Sequence, residues 1–356
     1  MRQLLSPSDL DPDRSAAAAV SHGPKLRCVP SSDDATMAKR REAPSISCVI
    51  PCRNEAQNLA RLLPLLTDTL GRCTQAWEIV LVDDGSTDDT ETAMAEWARQ
   101  PGLKVLQLSR NFGKEAALTA GLQAAVGEVV VTMDADMQHS PALIPAFLDH
   151  WLAGADVAYA VRENRRDESR FKRFGARCFY ALVNGSDRFE VPTGAGDFRL
   201  MDRSVVDALL ALPERNRFMK GLYAWVGFKA VAVAYVPEAR AHGHSQFSAR
   251  RLVRLSLDGL TAFTTWPLRA VSAVGFLLAL AAFVYGAYLT VSYFLNGHNV
   301  NGWTTIVVSL MLFAGIQLIS LGIVGEYVGR VFEEVKARPL FVVKRELGAG
   351  MTRAPA

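Results

Sequence analysis

Val129-Val130-Val131-Thr132-Met133-Asp134-Ala135-Asp136-Met137-Gln138 is the stretch that decides the fold. A run of β-branched and apolar residues ends there in two carboxylates that are two positions apart. Such a run is typical of a buried parallel strand, and the ligands of open α/β sheets bind at the carboxyl ends of the strands. Two carboxylates and an amide oxygen suit a hard divalent cation that carries phosphate oxygens. The stretch therefore predicts a site for a nucleotide diphosphate.

Strands and helices alternate around this stretch. The sequence predicts strands at Ile46–Pro51, Trp77–Val82, Lys104–Leu108, Glu128–Met133 and Asp156–Val161. Helical spacing of apolar residues lies between them at Glu55–Leu70, Asp88–Arg99 and Gly113–Ala125, and Pro141 opens a further helix. This succession predicts an α/β fold with a mostly parallel, doubly wound sheet.

Composition narrows the class of partner. The formal net charge of the 356 residues is +3, which is too small to indicate nucleic acid, and we expect no nucleic acid partner. The five cysteines are scattered without a CxxC pair or zinc-ligand spacing, and this fits a reducing, cytoplasmic compartment. The first residues lack the apolar core of a signal peptide, and we expect residues 1–43 to form a disordered tail.

The C-terminal third predicts a membrane hairpin. Ala270–Gly325 contains no Asp, Glu, Lys or Arg, which leaves room for two spans within 269–330, near Arg269–Leu295 and Trp303–Arg330. Lys and Arg flank this segment, whereas its central turn contains neither. The positive-inside rule then places both termini, including a C-terminal tail at 331–356, in the cytoplasm of a bacterial inner membrane.

Two basic segments precede the spans. Residues 162–185 interleave Arg and Lys with aromatic residues, which is typical either of an amphipathic helix on a membrane surface or of a solvated charged helix face. The neighbouring spans favour the membrane surface. A second such segment, residues 249–268, predicts an interfacial helix that leads into the first span.

Two turns carry polar side chains at strand ends. Pro51-Cys52-Arg53-Asn54-Glu55 lacks the glycines of a dinucleotide-binding turn, and the chain has no P-loop lysine motif, so both of these phosphate sites are excluded. The second turn is Asp83-Asp84-Gly85-Ser86-Thr87-Asp88. Capping of the next helix explains Ser86, but it does not explain two consecutive acids.

These turns, the acidic strand end and Ser109-Arg110-Asn111-Phe112-Gly113-Lys114 together resemble the family 2 glycosyltransferases, which have the nucleotide-sugar-binding fold called GT-A. The match extends over about Ser45–Val236. Gly196-Asp197-Phe198-Arg199-Leu200-Met201-Asp202-Arg203 and the two spans are similar to the branch that transfers a sugar to polyprenyl phosphate, such as bactoprenol glucosyltransferases and dolichol-phosphate mannose synthases. The resemblance implies a GT-A catalytic domain at 44–248, followed by the transmembrane hairpin.

The resemblance also implies roles for individual residues. The nucleotide sugar is expected at Pro51, Arg53, Glu55, Asp83, Asp84, Lys114 and Asp134. Mg²⁺ or Mn²⁺ is expected at Asp136 and Gln138, with Asp197 and Asp136 as the catalytic pair. The lipid phosphate is expected at Arg170, Lys172, Arg173, Arg199 and Ser245.

The implied reaction is an inverting transfer from a nucleotide-diphosphate sugar, with UDP-glucose as the first candidate, to undecaprenyl or another polyprenyl phosphate. GDP-mannose is an alternative donor. The implied assembly is a homo-oligomer, for which a tetramer is one candidate.

One segment departs from the pattern of the branch. Gly243-His244-Ser245-Gln246-Phe247 stands where the branch usually has Gly-x-Ser-Lys-Tyr. If that lysine contacts phosphate, Gln246 removes a charge that His244 or Arg250 would have to replace. A flexible loop over the site is the other interpretation.

Three other classes fit less well. A processive polysaccharide synthase shares the early motifs but normally carries a Gln-x-x-Arg-Trp motif, absent here, and more spans. A non-catalytic membrane-binding module would need neither acidic motif. A nucleotidyltransferase would usually have a glycine-rich, basic first loop, which Pro51–Glu55 is not.

Overall fold

A computed structural model describes residues 40–162, 195–215, 217–235, 266–296 and 302–352. Residues 1–39 of the predicted tail, residues 163–185 of the predicted basic helix and residues 249–265 of the predicted interfacial helix lie outside these ranges. The predictions made for those segments remain predictions.

The described chain forms one eight-stranded sheet with the order β7-β5-β6-β4-β1-β2-β3-β8. The strands are β1 (Ile46–Cys52), β2 (Trp77–Asp83), β3 (Leu103–Leu108), β4 (Val129–Thr132), β5 (Val157–Arg162), β6 (Ala195–Asp202), β7 (Ala230–Tyr235) and β8 (Val343–Leu347). The helices are α1 (Ala56–Cys73), α2 (Thr90–Trp97), α3 (Lys114–Ala124), α4 (Ile144–Leu152), α5 (Arg203–Ala211), α6 (Met219–Trp225), α7 (Trp266–Asn296) and α8 (Trp303–Val335). A 3₁₀ turn at Pro141–Leu143 precedes α4.

The centre of the sheet is parallel, as the sequence predicts. β1 pairs in parallel with β2 and β4, and β2 pairs in parallel with β3. Each face carries its own apolar cluster, one that includes the α1 leucines and one that includes most of α3. Helices on both faces explain why the central strands are continuously apolar rather than alternating. The predicted α/β class and the five predicted strands are confirmed.

β6 is the strand that places an acid beside the end of β4. It runs antiparallel between β4 and β5, with Thr132 opposite Arg199. Because the two strands run in opposite directions, the first residues of β6 lie beyond the carboxyl end of β4. The hydroxyl of Thr132 donates to the carbonyl oxygen of Asp197 at 2.5 Å. Asp197 therefore lies beside the loop that carries Asp134 and Asp136.

β8 lies in the segment that the sequence assigns to a C-terminal tail. It pairs antiparallel with β3, and Lys104 Nζ lies 2.8 Å from Glu346 Oε1. The sheet therefore extends beyond the predicted domain boundary at residue 248. The strand is short, mostly exposed and rich in charge, as is common for edge strands, so its sequence lacks the apolar pattern that would have predicted it.

The two C-terminal helices are long enough to cross a bilayer. α7 has 31 residues and α8 has 33, which at 1.5 Å per residue gives about 46 and 50 Å, against a hydrocarbon core of about 30 Å. Their apolar windows, Val271–Leu289 and Thr305–Val335, have mean hydropathies of 1.9 and 2.3 and are not buried in the protein. Such surfaces need an apolar environment, and they are two candidate membrane spans.

The packing of α3 on the sheet yields a stability prediction. A Cβ on Gly121 would lie 2.2 Å from Val49 Cγ1 and 3.1 Å from Val82 Cγ2. We expect Gly121→Ala to lower the free energy of unfolding by about 1–3 kcal/mol, because the valines must shift. Chemical denaturation of the detergent-solubilised protein measures this.

Gly71→Ala is the matched control. Gly71 also lies in a helix, but its Cβ would meet only Trp77 Nε1 at 3.9 Å, so the change should be neutral or stabilising by up to about 1 kcal/mol. Equal effects of the two substitutions would contradict the close approach of α3 to the sheet.

Candidate active site

Asp84, at the carboxyl end of β2, positions the loop before α3. One carboxylate oxygen accepts from Phe112 N at 2.7 Å and the other from Gly113 N at 2.9 Å. The turn after Asp84 requires a glycine, because Gly85 has φ 66° and a Cβ there would lie 2.6 Å from Asn111 N. Each carboxylate oxygen of Asp84 thus accepts one backbone hydrogen bond, and its predicted contact with the nucleotide sugar remains a prediction.

The first and second turns are bonded to each other. Asn54, in the left-handed region with φ 58°, donates its backbone N–H to Ser86 Oγ at 3.0 Å and accepts from Thr87 N at 2.8 Å. Ser86 Oγ in turn donates to Asp83 Oδ1 at 2.5 Å. Ser86 was predicted to cap the next helix, but Asp89 occupies that position. The two turns therefore form one polar surface at the end of β1 and β2.

Glu55 extends this surface towards the acidic strand end. Asn58 Nδ2 donates to Glu55 Oε2 at 2.5 Å. Burial raises the pKa of Glu55, Asp136 and Asp134 raise it further, and the bond from Asn58 opposes them. Glu55 is thus electrostatically coupled to both acids that follow β4.

Lys114 lies at the centre of the site. Its Nζ is 2.6 Å from Asp134 Oδ1 and 2.6 Å from Asp197 Oδ2. Burial lowers the pKa of Lys114, but the two carboxylates outweigh burial and hold that pKa above its usual value. The lysine is therefore charged, and it joins the end of β4 to β6.

Asp197 remains ionised despite its burial. Burial raises its pKa, but Lys114 and then Lys220 outweigh that effect, so the pKa of Asp197 lies below its usual value. Its second carboxylate oxygen, Oδ1, is buried and has no hydrogen-bond partner in the described part of the chain. That oxygen is the acceptor that a bound substrate could use.

Arg199 was predicted to hold the lipid phosphate, but it lies inside the protein. Its side chain is 4% exposed, and the guanidinium lies 3.4 Å from the centre of the Tyr223 ring. Nη2 donates to the carbonyl oxygen of Gly196 at 2.7 Å. This geometry supports the β6 segment that carries Asp197, and the contact of Arg199 with the lipid phosphate remains a prediction.

Asp136 and Gln138 form a tight turn beyond β4. Gln138 N donates to Asp136 Oδ1 at 3.1 Å, and Met137 between them has φ 61°. Across the described ranges, no three or more His, Cys, Asp or Glu side chains group closely enough to hold a metal by themselves. A cation on Asp136 and Gln138 would therefore need ligands beyond the His, Cys, Asp and Glu side chains of the described residues.

Known proteins match both parts of the chain. Residues 47–210 match the family described as Glycosyl transferase family 2, and residues 266–331 match the GtrB C-terminal hairpin. An uncharacterized glycosyltransferase of Synechocystis is 41% identical over 299 residues, which cover 84% of this chain and 94% of that protein. This chain belongs to glycosyltransferase family 2. The resemblance inferred from the motifs is confirmed.

Two further relatives have more specific names. The prophage bactoprenol glucosyl transferase homolog of Escherichia coli K12 is 39% identical and covers 84% of this chain and 98% of its own length. The bactoprenol glucosyl transferase of Shigella phage SfII is 40% identical, and the match covers 84% of this chain and 97% of that protein. Together with the two apolar helices, the hairpin match indicates that this family 2 glycosyltransferase associates with a membrane.

Sequence patterns did not point to three polar residues of this glycosyltransferase, of which Arg217 is buried and His139 and Glu115 are half-buried. His139 packs against the rings of Phe198 and Tyr235, with centroids 5.2 and 5.1 Å away, and burial lowers its pKa. Glu115 and Arg217 lie near Lys114. Glu115 lies in the first turn of a helix, where an acid is usually explained by the helix dipole, and Arg217 lies in a loop, where an arginine is usually solvated. Their sequence positions therefore did not indicate that they belong to the site.

Glu115 is the group of the site that titrates near neutral pH. Burial, and then the charge of Asp197, raise the pKa of Glu115 to about 7. Lys114, Lys220 and the backbone N–H of Met219 act in the other direction and lower it. One of its oxygens is buried without a partner among the described residues. Its ionisation therefore destabilises the folded protein.

The remaining predicted site residues fall into two groups. Pro51 lies on β1 opposite Val82 of β2, and Arg53 is exposed and lowers the pKa of Asp84. The predicted acceptor residues Arg170, Lys172, Arg173 and Ser245 lie outside the described ranges. Lys114, Asp134 and Asp197 are the members that the structure brings into direct contact.

Glu115→Gln tests the burial of this acid. The unfolded chain releases the proton near its ordinary pKa of about 4.3, whereas the folded chain holds it to about 7. Wild-type stability should therefore fall relative to the variant as pH rises through this window. Thermal midpoints of both proteins from pH 4 to pH 8 measure the difference.

The exposed Glu96 of α2, replaced by Gln, is the control for this series. A difference between wild type and Glu115→Gln that stays constant with pH would show that Glu115 is not buried as described.

Proposed function

We propose that the protein transfers glucose from a nucleotide-diphosphate glucose, with UDP-glucose as the first candidate, to polyprenyl phosphate. The transfer takes place at the cytoplasmic face of a bacterial inner membrane. The proposal rests mainly on the matches to the E. coli and phage SfII relatives, whose names include bactoprenol glucosyl transferase. These matches extend over 98% and 97% of the two relatives. The family 2 model at residues 47–210 and the GtrB hairpin model at residues 266–331 both match this chain.

The donor is assigned to the carboxyl ends of β1, β2 and β4. Arg53 and Glu55 on the first turn and Asp83 on the second lie at the carboxyl ends of β1 and β2, where open α/β sheets bind their ligands. Asp134, paired with Lys114, lies on the side towards β6. Asp84 supports this donor site indirectly by fixing the amides of Phe112 and Gly113.

The side chains of Asp136 and Gln138 fit a magnesium or manganese ion. A carboxylate and an amide oxygen are hard ligands, and Mg²⁺ is typically held by one or two carboxylates together with substrate phosphates. This explains why the described residues contain no complete protein-only cage. When bound, the ion would neutralise charge on the leaving diphosphate.

The acceptor needs little activation. A phosphate monoester loses its second proton near pH 6, so at neutral pH its oxygen already attacks the anomeric carbon as an anion, with inversion. Asp197, ionised and paired with Lys114, then orients groups instead of removing a proton. The contribution of the protein is positioning and charge compensation of two anionic partners.

The acceptor side of the proposal depends on segments outside the described ranges. Lys172 and Arg173, with Arg170 and Ser245, are proposed to bind the lipid phosphate. Lys and Arg on both flanks of the spans favour a cytoplasmic catalytic domain. Association into a homo-oligomer is part of the proposal.

Product analysis tests the function. Membranes containing the protein are incubated with undecaprenyl phosphate and, separately, UDP-glucose, UDP-N-acetylglucosamine or GDP-mannose, and the lipids are analysed by mass. We expect a hexosyl-phosphoryl-undecaprenol from UDP-glucose. Asp136→Asn should reduce its rate by at least about a hundredfold, because charge compensation at the leaving group contributes several kcal/mol.

Asp89→Asn, which alters the exposed acid at the N-cap of α2, is the matched control and should retain the wild-type rate. A product formed only from another donor would contradict the assigned sugar. The absence of any sugar-phospho-lipid, from a protein that is shown to be folded, would contradict the proposed function.

A further inference from the structure

A cavity of about 260 Å³ lies at the amino end of α3. Its walls are residues 112–116, Arg215 and Arg217 from the loop between α5 and α6, and Leu340, which follows the membrane helix α8. The cavity thus lies between the start of α3, the loop that carries Arg215 and Arg217 (the basic loop), and the segment that follows α8. It contains neither Asp136 nor Gln138.

The first turn of α3 presents unused donors to this cavity. The amides of Phe112 and Gly113 are bonded to Asp84, and the first bond within the turn is from Ala117 N to Gly113 O at 3.1 Å. No side chain caps the helix, and the amides of Lys114, Glu115 and Ala116 have no acceptor among the described residues. Free amides and the helix dipole together favour an anion.

Arg217 is a second, independent sign of an anion. Its side chain is 7% exposed. Nη2 donates to the carbonyl oxygens of Leu209 at 3.1 Å and Leu212 at 2.7 Å, and Nε donates to Glu214 O at 3.3 Å. Nη1 is buried and has no acceptor in the part of the chain that the structure describes. A buried guanidinium donor without a partner is costly, and an oxyanion in the cavity would remove this cost.

Arg215 adds a positive charge that the end of the hairpin holds in place. Its backbone N–H donates to the two carboxylate oxygens of Glu334 on α8, at 2.9 and 3.2 Å. The basic loop is therefore tied to the last turn of α8. Arg215 lines the cavity together with the first turn of α3.

We propose that this cavity binds a phosphate group, held by the amides of Lys114, Glu115 and Ala116 and by the guanidinium groups of Arg215 and Arg217. Donors from two segments suit a tetrahedral anion with several oxygens, and the guanidinium fork binds phosphate through two parallel bonds. Glu115 is the acidic residue among those that line the cavity. Because burial raises its pKa to about 7, a large fraction is neutral at that pH and opposes the anion less than an ordinary glutamate would.

The chemistry allows two sources of the phosphate. A lipid with a phosphomonoester head group could reach a cavity that is bordered by Leu340 and tied to Glu334 of α8. Inorganic phosphate in solution carries the same group. The proposal does not depend on sugar transfer, so it can fail or hold independently of the proposed function.

Calorimetric titration with inorganic phosphate tests the site. The full-length protein is used in neutral-lipid nanodiscs without divalent cations, which suppresses binding through a metal at Asp136. We expect saturable binding that weakens at least about tenfold in Arg215→Gln, since the variant loses a charged hydrogen-bond donor to the anion. Arg217→Lys, which keeps the charge but loses the fork, should also weaken binding. Arg61→Gln, on the exposed face of α1, should not.

A competition arm assigns the source. If the ligand is a lipid head group, nanodiscs with phosphatidic acid should reduce the binding of inorganic phosphate, whereas nanodiscs with phosphatidylglycerol, which is a phosphodiester, should not. If neither lipid competes, the ligand is a soluble phosphate. Wild-type affinity in both Arg215→Gln and Arg217→Lys, or an equal loss in Arg61→Gln, would overturn the proposal. Thermal midpoints verify that each variant is folded.

Discussion

The ion pairs of Lys114 with Asp134 and Asp197, each at 2.6 Å, are the contacts on which the rest of the site depends. Three elements must be placed correctly for them to form. β4 delivers Asp134 from its carboxyl end, the antiparallel β6 delivers Asp197 from the opposite direction, and Asp84 fixes the start of α3. A partly buried cation between two carboxylates compensates charge that would otherwise keep these acids apart.

The same constraint explains why buried polar residues surround the site. Arg199, stacked on Tyr223 and bonded to Gly196 O, supports the strand from which Asp197 projects. Thr132 bonds the backbone of Asp197 from the β4 side. Such buried polar contacts hold Asp197 in one geometry, which is how a site that mainly positions its substrates lowers a barrier. The hairpin joins this framework through Glu334 and β8, so the membrane helices and the site form a connected structure.

Sequence patterns were sufficient for the central fold and for the acidic positions. The apolar run at Val129–Thr132 and its two acids predicted a parallel strand with a ligand site at its end, because a local pattern of residues shows both burial on two faces and the direction of the strand. A local pattern does not show which distant residues a side chain contacts in the folded protein. The resemblance assigned Arg199 to the lipid phosphate, and local sequence gave no sign that its guanidinium stacks on Tyr223 inside the protein. β8 was missed because a charged edge strand resembles a tail, and Glu115 because burial in the folded protein, and then the charge of Asp197, raises its pKa.

A double-mutant cycle of Lys114→Gln and Asp197→Asn, followed by transfer rates to undecaprenyl phosphate, tests the central claim most directly. If the lysine acts by holding Asp197 in its ionised, oriented state, the two changes should be strongly non-additive, and the double variant should transfer sugar about as fast as the slower single variant. Losses that multiply, as for independent residues, would contradict the account.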